Sequence, residues 1–363
     1  MAVLEGRQLV GLCARRDLAT LLGARYGFAL NARSPVRQHL TADAVRIQAG
    51  DELTAVLQAV AARRDEHFYD DVLLVDAAGD LLGLVYVRDL VRLQTSLLLG
   101  NLEEIATKNR QMEDDLRMAR EVQVAMLPRE FPEGRSLRFA QRYQPAGGVS
   151  GDFFDILPLA DDVAGIIICD VMGHGVRSAL ITAMVRTMIE ELRPHADDPG
   201  RMLTELNGHL SRLLRRTGDM IFVTAAYAVV DANTRRLTYA QAGHPTPLHW
   251  GALTGLAAPL PGAENVCGPA LGLIDDAAYA TVELTLENGD RLLLFTDGIF
   301  EAANEQGEEF GAARLAAALA KAADLKLPEV PAAMESAAAE FIGGRPFGDD
   351  VCLVACELRP VAT

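Results

Sequence analysis

Four acidic clusters stand out in this chain, each at a place where aspartate serves a strand poorly unless it has a further task. The first is Gly151-Asp152-Phe153-Phe154-Asp155. The second, Ile166-Ile167-Ile168-Cys169-Asp170, is an apolar run closed by an acid and followed by Val171-Met172-Gly173-His174-Gly175. The third is Leu292-Leu293-Leu294-Phe295-Thr296-Asp297-Gly298, and the fourth, Gly348-Asp349-Asp350-Val351, leads acids into a strand. Taken singly, a strand-terminal aspartate is more often a turn or helix cap than a ligand. Taken together, they describe carboxylates held at the ends of rigid strands, where they would repel one another strongly. Divalent cations remove that penalty, and an all-oxygen donor set suits Mg²⁺ or Mn²⁺. No HExxH and no Cys/His ligand set points to zinc.

The elements that must position these acids can be read from apolar spacing. Strands are expected at Gly165–Val171, Phe222–Val230, Leu237–Ala242, Thr281–Leu286 and Arg291–Phe295. Helices are expected at Val176–Leu192, Pro199–Thr217, Gly311–Ala322 and Val330–Ile342. Strands in hairpin-like succession, with helices between groups, predict an α+β sandwich rather than a doubly wound parallel sheet.

In order, Ala125-Met126-Leu127-Pro128, Gly148-Val149-Ser150-Gly151-Asp152-Phe153-Phe154-Asp155, Asp170-Val171-Met172-Gly173-His174-Gly175, Ala242-Gly243-His244-Pro245, Phe295-Thr296-Asp297-Gly298 and Gly348-Asp349-Asp350 resemble the PPM-type phosphatases. The branch is the bacterial one typified by the stage II sporulation phosphatase and the stress-response sigma-factor phosphatases, and the likeness covers nearly everything from Ala125 onward. It implies a β-sandwich flanked by helices over residues 128–363, with two Mn²⁺ or Mg²⁺ ions at one edge. It implies that Asp152, Asp170, Asp297, Asp349 and the Val171 carbonyl are the metal ligands, with Asp350 in a neighbouring place. Asp170 and Asp297 would be central to catalysis, the attack coming from a metal-activated water. His174 is either the proton donor to the leaving group or a cap that orients the following helix. His244 reads as part of a structural loop near the site, and Arg142 is the candidate phosphate anchor. The implied reaction is hydrolysis of phosphoserine or phosphothreonine on a signalling protein, namely a phosphorylated antagonist of an anti-sigma factor.

Ahead of this domain the texture changes. Leu9 to Leu18 echoes Leu81 to Leu90 almost position for position, which marks an internal repeat in residues 1–95. The region resembles the cystathionine-β-synthase-type (CBS) regulatory pair, a small α/β domain, with its first repeat incomplete. Two readings stay open. Asp17 and Asp89 would hold a nucleotide ligand, or they cap helices in an interaction module; Ala14 and Tyr86 stand where the related pairs have Thr or Ser. Residues 96–127 read as a linker helix with apolar positions Leu98, Leu102, Ile105, Met112, Leu116, Ala119 and Met126, and with Asn109 and Gln123 in the same four-three register. That pattern predicts a coiled coil and a homodimer. The linker adjoins the phosphatase-like part, so helix Val176–Leu192 is the expected movable element between sensor and site.

Composition sets the outer bounds. A formal net charge of -16 disfavours nucleic acid as a partner and, with the lack of basic clusters, a two-metal nuclease. The five cysteines form no CxxC pair and read as buried free thiols of a reducing compartment. No apolar run approaches the ~20 residues that a membrane span needs, so a cytoplasmic protein is expected. The alternative to an enzyme is a catalytically silent scaffold that binds a partner through its N-terminal module.

Overall fold

The computed structural model describes residues 1–128, 131, 136–173, 175–215 and 220–360. Its contacts divide the chain into two compact units, Met1–Arg110 and Gln111–Thr363.

The first unit opens with an antiparallel hairpin, β1 (Ala2–Glu5) and β2 (Gln8–Leu12), followed by α1 (Arg15–Gly23) and α2 (Gly27–Asn31). Then come β3 (Arg46–Gln48), α3 (Leu53–Ala61), β4 (Val72–Val75), β5 (Leu81–Val85) and α4 (Val87–Met126). Strand β4 runs parallel to β3 and antiparallel to β5. The echo in the sequence corresponds to two strand-to-helix passages, β2 into α1 and β5 into α4. Val56 and Val60 recur one helical turn apart on α3, and both are buried with Ile47, Val72, Val87 and Leu90.

Helix α4 is one unbroken element of 40 residues that begins at Val87, ahead of the linker helix expected over 96–127. Its apolar row divides in character. Leu98, Leu102, Ile105 and Met112 are exposed. Leu116 and Ala119 are half-buried, and Gln123 is buried. The Gln123 amide donates from Nε2 to the Ser150 carbonyl at 2.6 Å, while its Oε1 accepts from the Ser150 N–H at 2.9 Å. The last turns of the helix therefore face their own domain. A polar residue in heptad register at Gln123 suggests a partner helix, but here it is fastened to the loop that leads into Asp152.

The second unit continues with β6 (Leu137–Gln144), β7 (Asp152–Ala160), β8 (Val163–Val171), α5 (Val176–Glu191) and α6 (Pro199–Leu214). Next are β9 (Val223–Asp231), β10 (Arg236–Ala242), β11 (Leu248–Gly251), β12 (Leu256–Pro259), β13 (Cys267–Gly268), β14 (Val282–Thr285) and β15 (Arg291–Phe295). It closes with α7 (Asp297–Phe300), α8 (Gly311–Lys321), α9 (Val330–Phe341) and β16 (Val351–Leu358). The expected elements are present within a residue or two at most ends; Thr217, the expected end of α6, lies outside the described residues.

Among the described residues of the second unit the strands form two sheets, one ordered β13-β10-β9-β8-β7 with β14 also on β10, the other β12-β11-β15-β16-β6. Alternate side chains explain the layering. Phe154, Ile166, Ile168 and Ala226 face Leu292, Leu294, Cys352 and Val354 of the other sheet. Their neighbours Phe153, Ile167, Cys169 and Ala225 pack under α5 and α6, whereas Leu293, Phe295, Val351 and Leu353 pack under α8 and α9. This is an α+β sandwich with a helical layer outside each sheet. Burial on both faces is why Ile166-Ile167-Ile168 reads as a continuous apolar run. Of the five free cysteines, Cys13, Cys169, Cys352 and Cys356 are buried as expected; Cys267, on the short edge strand β13, is exposed.

The Gln123 clamp generates a prediction. Gln123→Leu leaves the buried Ser150 N–H and C=O without these partners, and should lower stability in urea denaturation by about 1–3 kcal/mol. An unchanged midpoint would show that the clamp is not structural.

Candidate metal centre

The four acidic clusters meet at one edge of the sandwich because of strand register. Asp152 opens β7 and Asp170 lies near the end of β8, and in that antiparallel pair the two are directly opposite. In the second sheet Phe295 pairs with Leu353, so the residues just after β15 and just before β16 emerge at the same end. Those residues are Asp297 and Asp349.

Hydrogen bonds stitch the two sheets together at this edge. Thr296 is fully buried, and its Oγ1 donates to Asp152 Oδ2 at 2.7 Å while accepting from the Cys352 N–H at 3.0 Å. The Asp350 carboxylate accepts from the Ala146 N–H at 2.7 Å and the Gly151 N–H at 3.0 Å. Asp350 is thus a brace for the loop before Asp152, and its two oxygens are both engaged with main chain. Thr182 on α5 donates to the Gly151 carbonyl at 3.1 Å, tying the helix to the same loop. Sequence reasoning missed Thr296 and Thr182, because a threonine beside a strand carries no signal of what its hydroxyl reaches.

Two glycines mark how close the main chains come. A Cβ on Gly298 would lie 2.0 Å from the Asp350 carbonyl oxygen, so only glycine lets Asp297 sit beside the Asp349-Asp350 pair. A Cβ on Gly151 would lie 2.8 Å from the Val171 carbonyl oxygen and 3.3 Å from Asp170 Oδ1. The expected backbone ligand and the expected carboxylate ligand therefore face the same small space.

Electrostatics identify what that space lacks. Burial raises the Asp152 pKa far above the ordinary carboxylate range, and Asp170 adds to the effect against the opposing Thr296 hydrogen bond. Asp170 is pushed up to about 7, first by burial and then by Asp297, Asp349, Asp350 and Glu301. Asp297 is raised by burial and by Asp349. The charged neighbours that move these three acids most are all other carboxylates. Among the described residues no three Asp, Glu, His or Cys side chains form a closed ligand cage. An all-oxygen donor set of this charge fits hard divalent cations, which would turn the repulsion into attraction.

Other expected site residues separate clearly. His174 lies outside the described residues. His244 is 4 % exposed, has Nδ1 at 2.9 Å from Thr224 Oγ1, and is held neutral by burial, with its pKa pushed down to about 3. Thr224 on β9 is the register partner of Asp170, so His244, in the turn after β10, backs the acid edge through Thr224. Arg142 is committed to the Glu335 carboxylate through Nε and Nη2, which removes it as a free phosphate anchor. In the first unit, Asp17 accepts from Thr41 Oγ1 at 3.3 Å, and Asp89 is half exposed beside Arg88 and Arg92. Neither lines the cavity of about 440 Å³ that Arg15, Arg16, Tyr86 and Arg88 help to form.

The raised acids give a pH prediction for the metal-free protein. Native Asp170 keeps its proton up to about 7, whereas the unfolded chain releases it near 3.8. Its contribution to stability is therefore present at low pH, declines between those values, and is absent above them. In chelator at pH 8, Asp170→Asn should be more stable than wild type by on the order of 2–4 kcal/mol, the gap closing toward pH 4. Denaturation curves across pH would measure it; a gap that does not change with pH would contradict the assignment.

Comparison with known proteins agrees with this geometry. Residues 160–359 match the family described as stage II sporulation protein E (SpoIIE). The chain is 29 % identical over 188 residues to phosphoserine phosphatase RsbP of Bacillus subtilis, covering 52 % of this chain and 45 % of that protein. It is 27 % identical over 198 residues to phosphoserine phosphatase RsbU of the same organism, covering 54 % of this chain and 56 % of the relative. The chain thus spans about half the length of the curated relatives it matches. Among solved structures, the SiaA-PP2C domain of Pseudomonas aeruginosa superposes with a TM-score of 0.61 at 28 % identity, over 70 % of this chain and 99 % of that one. With its β-sandwich, its helical outer layers and its converging acids, the chain belongs to the SpoIIE family of PPM-type phosphatase domains.

Proposed function

We propose that this chain is a metal-dependent serine/threonine protein phosphatase. The observation that carries the reading is the meeting of Asp152, Asp170, Asp297 and Asp349 at one edge of two sheets, where burial and neighbouring carboxylates raise the pKa of Asp152, Asp170 and Asp297. Asp152, Asp170, Asp297, Asp349 and the Val171 carbonyl would hold two Mn²⁺ or Mg²⁺ ions. Bound there, such ions supply an activated water for in-line attack and offset charge on the phosphoryl oxygens. The protein's own contribution is positional. The Thr296 and Asp350 bonds fix the two sheets to one another, so the acids approach the substrate from both sides of a rigid edge. The relatives named phosphoserine phosphatase support a phosphoserine or phosphothreonine protein as substrate, and we assign a phosphorylated anti-sigma-factor antagonist to that role.

The first unit, read as a CBS-type module, would regulate this activity in the cytoplasm. A nucleotide ligand would find Arg15, Arg16 and Arg88 in one cavity, together with Asp70 and Asp71, whereas Asp17 and Asp89 do not line it. The exposed row Leu98, Leu102, Ile105 and Met112 supports a homodimer through α4. Among the described residues no helix is long and apolar enough to cross a membrane.

Two tests follow. Mn²⁺-dependent release of phosphate from a phosphoserine protein should fall by at least about 10³-fold in Asp170→Ala and Asp297→Ala, with circular dichroism unchanged. Activity retained in either variant would remove that acid from the centre. Leu116→Pro, which breaks α4 where it meets the catalytic unit, should abolish any dependence of activity on dimer or ligand. Persisting dependence would rule out the helix as the coupling element.

A further inference from the structure

Next to the acid edge lies an open cavity of about 480 Å³, lined by Gly298, Glu301, Ala302, Arg345, Phe347 and Asp349 among others. Asp349 and Gly298 connect it to the proposed centre; Ala302 and Phe347 give it apolar wall. A bare phosphate has no use for such wall, whereas the residues flanking a phosphorylated side chain do.

Arg345 is the cation of this cavity. Its Nε donates to the Ile342 carbonyl at 3.0 Å and its Nη2 to the Ala303 carbonyl at 2.9 Å. These anchors tie the exposed guanidinium to the end of α9 and to the segment after α7, with Glu301 and Asp349 lining the same cavity. A guanidinium carries five N–H donors, so further donors remain for a ligand. Among the described residues no carboxylate lies within ion-pair distance of Arg345. Arg142 and Arg291, by contrast, are paired with Glu335 and Glu357. An anchored, unpaired arginine in an apolar-walled cavity beside an acid edge is arranged for an incoming anion.

We propose that Arg345 is a specificity-determining residue that binds a carboxylate flanking the phosphorylated serine or threonine. The inference rests on the phosphatase reading and narrows its substrate class to phosphoproteins with an acidic residue near the phosphosite.

The test uses the full-length chain with Mn²⁺ and three phosphoserine peptides that differ only in Glu, Gln or Lys at the flanking positions. Wild type should favour the Glu peptide through KM. Arg345→Gln keeps an N–H donor for the neighbouring carbonyls but lacks the charge; it should cut the Glu-over-Gln ratio of kcat/KM about tenfold. Arg345→Glu should invert the preference toward the Lys peptide, an outcome that local loosening of the fold cannot produce. Equal ratios in wild type and both variants would overturn the assignment while leaving the phosphatase reading intact. If wild type hydrolyses none of the peptides, the phosphatase reading itself falls, and the role of Arg345 with it.

Discussion

Repulsion among buried carboxylates is the constraint around which the second unit is organised. At the end of the two sheets burial raises the pKa of Asp152, Asp170 and Asp297, and neighbouring carboxylates raise it further. A fold under entropy and packing alone has no reason to gather them. Charge of one sign, concentrated where water is partly excluded, is stable only if counter-charge arrives from outside the chain or if the acids take up protons. The site is therefore a weak point of the metal-free protein and an attractive one for hard cations.

Holding such a site demands stiffness, and the sandwich provides it. The inner core locks the sheets face to face, and helices cover both outer faces. Thr296 and Asp350 then fasten the two sheets at the edge itself, and Gly298 and Gly151 let the main chains close in. Gln123 and Thr182 bring α4 and α5 to the same short loop before Asp152. A shift in either helix is thus felt within a few bonds of Asp152.

Much of this was legible in the sequence, for definite reasons. The apolar strands closed by Asp170 and followed by Asp297-Gly298 were legible as elements, but β7, which sets Asp152 opposite Asp170, was not among the expected strands. The long helix was legible from its spacing, but its division was not. Heptad periodicity reports where apolar side chains fall, not what covers them, and so it could not separate Leu98–Met112 from the Gln123 end that docks on Ser150. Asp350 and Asp349 look alike in sequence; only the Ala146 and Gly151 amides show that the former braces a loop. Arg142 was drawn forward by its position near the start of the domain, and Glu335, nearly two hundred residues away, claims it.

The central claim is that the clustered acids exchange protons for divalent cations. Calorimetric titration of Mn²⁺ into the full-length chain near pH 6.5, repeated in buffers of different ionisation enthalpy, measures stoichiometry and proton release together. The account predicts two ions per chain with net release of protons. Absence of Mn²⁺ binding, or binding that displaces no proton, would contradict it.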